Sequence, residues 1–211
     1  MNRNLLSFIV SAAVSASCPG QSAVVRLDHD DPDGIVMPGE TVGLTLSTSW
    51  QSAPPIYALS LHRIEGDILA SPNAGTATNH LVPPVLGNYP GSSLNPGTPS
   101  NGSIVGIALD QGGLTWYGFG QFPPFRWGNS TGITLLTFDW TAPSTPGEIQ
   151  FGWVASSSLP LPEMAWLPAP ILRPIPTTYL GASLTVIPAP SIAAALLAAG
   201  LVLCPRRRPA G

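Results

Sequence analysis

Period-two alternation is the feature that most limits this chain. Residues 41–48 alternate strictly, with Val42, Leu44 and Leu46 on one face. Residues 57–62 alternate in the same way. Residues 134–140 group Leu136, Phe138 and Trp140, and residues 149–153 group Ile149, Phe151 and Trp153. Residues 179–186 group Leu180, Ala182, Leu184 and Val186. Successive side chains of a strand point to opposite faces, so each segment buries one face and leaves the other wet. Shorter runs at 23–27, 104–109 and 114–117 add to the set. The intervals are dense in proline and glycine, 25 and 22 of 211 residues, which suits turns and opposes long helices. The pattern predicts an all-β fold, a single β-sandwich or jelly roll with about eight or nine strands.

Composition removes several function classes. Charged residues are 9% of the chain, far below the roughly 25% usual in soluble domains. All eight basic residues are arginine. That leaves no basic patch for nucleic acid and no charge pattern for a coiled coil. With 44% hydrophobic residues and six tryptophans, simple disorder is excluded as well. Residues 24–186 hold four arginines against all eleven acids, so bulk charge does not draw this region to anionic polymers. The two cysteines, Cys18 and Cys204, flank that region. It therefore has no disulfide and no cysteine metal site. Residues 71–102 and the proline-rich residues 156–176 read as irregular, the second as cover for a sheet edge.

Both ends read as targeting segments, leaving residues 24–186 as the body. Arg3, an apolar run at 5–14 and the small residues Ser15, Ala16 and Ser17 have the order of a secretory signal peptide. This segment, 1–23, is expected to be an N-terminal helix cut after Ala16 or later, up to Ala23. Cys18 is not a lipidation site on this reading, because Ser15 stands where a large aliphatic residue is needed. At the other end, Pro188, Ala189 and Pro190 precede an apolar run and then Arg206, Arg207 and Arg208. An apolar helix closed by arginines fits the positive-inside rule. The run 191–204 is about 21 Å long as a helix, short of the roughly 30 Å hydrocarbon core. A weak membrane span and a core helix both remain open on length alone.

The order of proline motif, apolar helix and arginine cluster resembles the PEP-CTERM sorting signal, here with Ala189 between the prolines. The resemblance covers residues 187–211. It implies an exosortase-type processing protease as partner and cleavage near the proline motif. It also implies a membrane-anchored precursor, then release or transfer to the cell surface and its exopolysaccharide matrix. A second resemblance lies in the body. Pro38-Gly39-Glu40-Thr41, Leu135-Leu136-Thr137-Phe138 and Pro146-Gly147-Glu148-Ile149-Gln150-Phe151 look like the cohesin-like and carbohydrate-binding-module-like jelly rolls of extracellular bacterial proteins. It implies the fold; it carries over neither a dockerin partner nor a sugar.

Three groups are candidates for chemistry. Asp28, Asp30, Asp31 and Asp33 form the densest charge cluster, and close carboxylates can cage Ca²⁺. The weightier reading is a turn built on Pro32-Asp33-Gly34, with no cofactor. Trp116, Tyr117, Phe119, Phe122, Phe125 and Trp127 crowd into twelve residues, with Gln121 and Arg126 among them. They form either a stacking platform for sugar rings or, as large aromatics usually do, part of the core. Glu65 and Asp67 are spaced as a carboxylate pair, but Glu65-Gly66-Asp67 reads as a turn. His62 falls in a strand and His80 in a loop. No phosphate loop or His/Cys cluster is present. The expectation is a non-enzymatic, exported protein of the cell envelope or extracellular matrix. Its rivals are a carbohydrate-binding module using 116–127 and a secreted hydrolase.

Overall fold

A computed structural model describes residues 22–51, 59–87, 91–110, 130–166 and 171–188. Among them are fourteen strands: β1 (Ser22–His29), β2 (Ile35–Val36), β3 (Thr41–Gln51), β4 (Leu59–Ser71), β5 (Thr76–Leu81), β6 (Ser93–Asn95), β7 (Thr98–Ser100), β8 (Ser103–Asp110), β9 (Ser130–Thr141), β10 (Gly147–Ala155), β11 (Glu163–Trp166), β12 (Ile171–Pro174), β13 (Thr177–Leu180) and β14 (Ala182–Val186). A single 3₁₀ turn spans Pro84–Gly87. Several strands are only two to four residues long, too short for a period of two to register. That is why the sequence predicts fewer. The expected terminal helices lie outside the described residues. Among the described residues, no helix is long and apolar enough to cross a membrane.

The strands form two sheets. The first has five strands in the order β13-β1-β3-β9-β5, with β1 and β13 parallel and the other neighbours antiparallel. The second has nine. Its path runs β12-β11-β4-β10-β14-β2, and β8, carrying β6 and β7, lies along β4. Ile68 pairs with both Trp153 and Ile104, so β10 and β8 occupy opposite edges of β4. The two inner faces make one core. Ala23, Val25 and Leu27 of β1, Val42, Leu44, Leu46 and Trp50 of β3, and Ile149, Phe151 and Trp153 of β10 all turn inward. Trp140 of the first sheet meets Phe151 of the second edge-to-face, with ring centroids 5.2 Å apart at 87°.

Two bulges explain where alternation shifts. Leu135 and Leu136 are adjacent, yet both are fully buried. The pairing with β3 steps from Leu46↔Leu136 to Ser47↔Thr134, leaving Leu135 as the extra residue. A bulged strand thus directs two neighbours into one core. In β4 the buried positions change from Leu61 to Ile64, where the register with β11 also slips.

Four sequence expectations need correction. Residues 71–102 are not irregular throughout, since they contain β5, β6 and β7, whose exposed polar residues hide a period. His80 accordingly lies in β5 and not in a loop. Glu65-Gly66-Asp67 is the interior of β4, not a turn. Gly66 serves packing there: a Cβ on it would lie 2.6 Å from Cζ2 of Trp153. Finally, residues 179–186 are not one strand. The chain changes sheets at Gly181, where a Cβ would run into the Phe151 carbonyl. Leu180 therefore belongs to β13 and is exposed, while Leu184 and Val186 are buried in β14. The proline-rich 156–176 region does supply an edge, in β11 and β12.

Candidate functional site

Pairing register divides the molecule into two ends. Ser22 pairs with Gln51, and Trp50 with Ser130, at one end of the first sheet. In the second sheet Leu59 opposes Trp166, and Arg63 opposes Asp110. The chain passes from Gln51 to Leu59 within eight residues, which puts these strand ends together. At the other end, Thr41 pairs with Thr141, and Gly147 with Val186. The short link from Thr141 to Gly147 joins the sheets there, and the Ala142 N–H donates to the Glu40 carbonyl at 2.8 Å. β3 alone has eleven residues, so the ends stand about 35 Å apart at the usual strand rise.

The first end carries a set of charged side chains on the outer face of β4 and β8. Arg63 and Glu65 are two residues apart in one strand and so share a face. The Arg63 Nε donates to Glu65 Oε1 at 2.9 Å, and its Nη2 makes a second, shorter bond to the same oxygen. Asp110, opposite Arg63 in register, brings its carboxylate to 4.0 Å from both Arg63 Nε and His62 Nε2. The Ser158 hydroxyl donates to Glu65 Oε2 at 3.2 Å and lies 2.7 Å from the Ser156 hydroxyl. One guanidinium thus stands between two carboxylates, with hydroxyls at the rim. The array carries one positive charge against two negative ones. Its carboxylates and hydroxyls can accept and donate hydrogen bonds to hydroxyl or amide groups.

The two carboxylates of the supposed pair share a face of β4 but have different partners. Glu65 is held by Arg63 and Ser158. Asp67 Oδ1 instead accepts the Gly106 N–H at 2.7 Å. Gly106 has φ of 74° and is the extra residue where β8 slips against β4. Asp67 therefore ties down a bulge. The Arg63–Glu65 partnership was hidden in the sequence because residues 65–67 read as a turn, whereas they continue β4. Asp110 and Ser158 were hidden as well, because only tertiary pairing brings them there.

The acidic cluster is a hydrogen-bonded turn at the opposite end. Asp31 Oδ1 accepts the N–H groups of Asp33 and Gly34 at 3.2 and 2.6 Å, and Asp33 Oδ1 accepts that of Ile35 at 3.0 Å. Asp30 Oδ1 accepts the Gly43 N–H at 2.9 Å, and Asp28 stands 3.9 Å from Arg26. Desolvation pushes the Asp31 carboxyl up, but the Gly34 N–H and further donors of the turn outweigh it and hold it below the usual range. Among the described residues, no three metal-ligating side chains converge. Glu40 similarly accepts the Met37 N–H at 2.8 Å.

Trp116, Tyr117, Phe119, Phe122, Phe125 and Trp127 lie outside the described residues. Their segment is joined to the body at Asp110 and Ser130, both at the end that bears Arg63. Of the sorting motif, Pro188 is described and exposed; Ala189, Pro190, Arg206, Arg207 and Arg208 lie outside. The tail leaves from the acidic end, one residue after the Ile187 N–H donates to the Val36 carbonyl at 3.0 Å.

No family model matches the chain, and no curated protein matches it. Several solved structures are similar, cohesin modules among them. The seventh ScaB type I cohesin from Pseudobacteroides cellulosolvens gives a TM-score of 0.45 at 11% identity, covering 82% of this chain and 95% of that one. The second type II cohesin of the ScaA scaffoldin of Acetivibrio cellulolyticus gives 0.44 at 11% identity, covering 82% and 100%. CaCohA2 from Clostridium acetobutylicum gives 0.43 at 18% identity, covering 77% and 90%. No family, partner or activity is assigned to this chain from likeness at that level. The two-sheet architecture stands on the strand pairing itself.

Proposed function

We propose that this protein is an exported, non-catalytic β-sandwich, delivered to the cell surface through its C-terminal tail and displaying the end remote from that tail. The observation that carries the reading is the polarity of the fold. The tail leaves beside Val36 and Gly147. The charged set of Arg63, Glu65 and Asp110, and both attachment points of the aromatic segment, lie about a strand length away. A body tethered at Pro188 would hold that end outward. In this reading the apolar run 191–204 anchors the precursor, an exosortase-type protease reads Pro188, Ala189 and Pro190, and Arg206–Arg208 hold the tail's end inside. The separate engagement of Glu65 and Asp67 supports a binding role over a glycosidase. The test compares the full chain with one ending at Pro188, which keeps the Ile187 bond to β2. The full chain should be found at the cell surface and the shortened one in the medium. Full-length protein in the cytosol with both ends uncut would sink the proposal.

A sugar-binding reading is favoured by one specific feature: the aromatic segment is rooted at the displayed end, beside hydrogen-bonding groups. Screening the exported protein on a glycan array tests it. Binding that survives Trp116→Ala and Trp127→Ala, or no binding to any neutral glycan, would reject the platform.

A further inference from the structure

We infer that Asn101 is a self-modifying site: the Gly102 nitrogen attacks its side-chain amide, and the native hairpin holds that reaction back until the hairpin opens. Asn101-Gly102 is the only Asn-Gly pair in the chain. Glycine has no Cβ to screen its nitrogen and leaves the backbone free to turn, so this pair is the asparagine most open to attack. The Gly102 nitrogen gives up its proton and bonds Asn101 Cγ, and the Cγ–Nδ2 bond breaks as ammonia leaves. Water then opens the five-membered ring. Opening at Cγ leaves aspartate, and opening at the main-chain carbonyl leaves isoaspartate. One water enters and one ammonia departs, with no oxidant or reductant.

The fold keeps the reacting atoms apart. Ser100 pairs with Ser103, so Asn101 and Gly102 are the whole loop between β7 and β8. Their φ angles of 46° and 82° are both positive, the mark of a type I′ hairpin turn. The ring closes only when the attacking nitrogen eclipses Cβ. In an ideal type I′ turn ψ at the first central residue is about +30°, which puts that nitrogen nearly opposite Cβ. Reaction therefore needs a rotation of roughly 150° about the Asn101 Cα–C bond. A two-residue loop cannot make it while Ser100 and Ser103 stay paired.

One side of the turn is clamped and the other is weak. Asn101 is exposed, whereas Gly102 and Ser103 are buried. A Cβ on Gly102 would run into the Ala74 carbonyl. Ser103 Oγ accepts the Ala70 N–H and donates to Asn73 Oδ1, each at 3.0 Å. By contrast, β7 has three residues, all exposed, and pairs with β8 alone among the described strands. Its central residue, Pro99, has no N–H to give. Such a strand opens locally without unfolding the sandwich. Isoaspartate then keeps it open. Its main chain runs through Cβ, one atom more than the turn has room for, and the amide has become a carboxylate. Gly102 can no longer seat against Ala74 while Ser100 opposes Ser103.

The test incubates the full chain at mildly alkaline pH, folded and in denaturing urea. Isoaspartate at position 101 is read by isoaspartyl methyltransferase labelling with peptide mass mapping. The folded chain should react more slowly by about tenfold or more. Equal rates would overturn the gate, and no modification at position 101 in either state would overturn the site. Ser103→Ala, which removes the clamp, should raise the folded-state rate and leave the rate in urea unchanged; an unaltered folded-state rate refutes the clamp. The isolated isoaspartate form should unfold at lower urea than Asn101→Asp, which gains the charge without the extra atom. Equal midpoints would show that the turn closes around isoaspartate.

Discussion

Replacing Trp140 by alanine tests the closure of the two sheets. The indole is fully buried, its Nε1 donates to the Ala74 carbonyl at 3.1 Å, and its ring stands edge-on to Phe151. Emptying a buried aromatic site costs about 3–5 kcal/mol, and the carbonyl of Ala74 also loses a partner, worth about 1 kcal/mol. Gly75 and Gly102 both sit where a Cβ would strike the indole nitrogen. Their backbone is thus moulded to the ring and cannot easily fill the void. Trp140→Ala should therefore lie at the upper part of the range, lowering the melting temperature by about 10 °C or more in a domain of this size. Urea unfolding of Trp140→Ala, Phe151→Ala and the double variant measures both terms. The single variants should each lose at least about 3 kcal/mol. The cycle should return a coupling of about 0.5–1.5 kcal/mol from the ring pair. An unchanged midpoint in either single variant, or strictly additive losses, would show that the sheets do not close on these rings.

Three further outcomes are expected. Gly66→Ala should destabilise by about 1–3 kcal/mol through overpacking, and Trp153→Leu should recover part of that loss; if Gly66→Ala is neutral, the strand assignment of 65–67 is wrong. Burial pushes the Tyr179 hydroxyl up to about 12. The unfolded chain then ionises first, so stability present below pH 10 should fall between about pH 10 and 12. Tyr179→Phe should flatten that fall in alkaline melts, and an identical fall in the variant would exclude Tyr179 as its source. Because the carboxylates of Asp30, Asp31 and Asp33 already hold backbone donors, millimolar Ca²⁺ should shift the melting temperature no more than NaCl of equal ionic strength; a Ca²⁺-specific rise lost in Asp31→Asn with Asp33→Asn would refute this.

The sequence by itself determined the all-β class and most of the inward faces. Val42, Leu44 and Leu46, then Leu136, Phe138 and Trp140, then Ile149, Phe151 and Trp153 are buried as their alternation requires. Alternation is a local property: each residue's face depends only on its neighbours along the strand. It also marked Pro32-Asp33-Gly34 as turn chemistry, because Asp side chains bond backbone two or three residues on. Only tertiary structure decided the rest. Leu135 is buried beside Leu136 because β9 bulges against β3, a fact of pairing between residues some ninety positions apart. Gly66 has the look of a turn glycine and Gly181 of a mid-strand one, but Gly66 makes room for Trp153 inside a strand, and Gly181 for the Phe151 carbonyl as the chain changes sheets. Arg63, Asp110 and Ser158 meet because β8 and β10 flank β4 on opposite edges, and no spacing along the chain records that. Register across strands, and hence which end of the sandwich faces away from the tail, is a property of the assembled sheets.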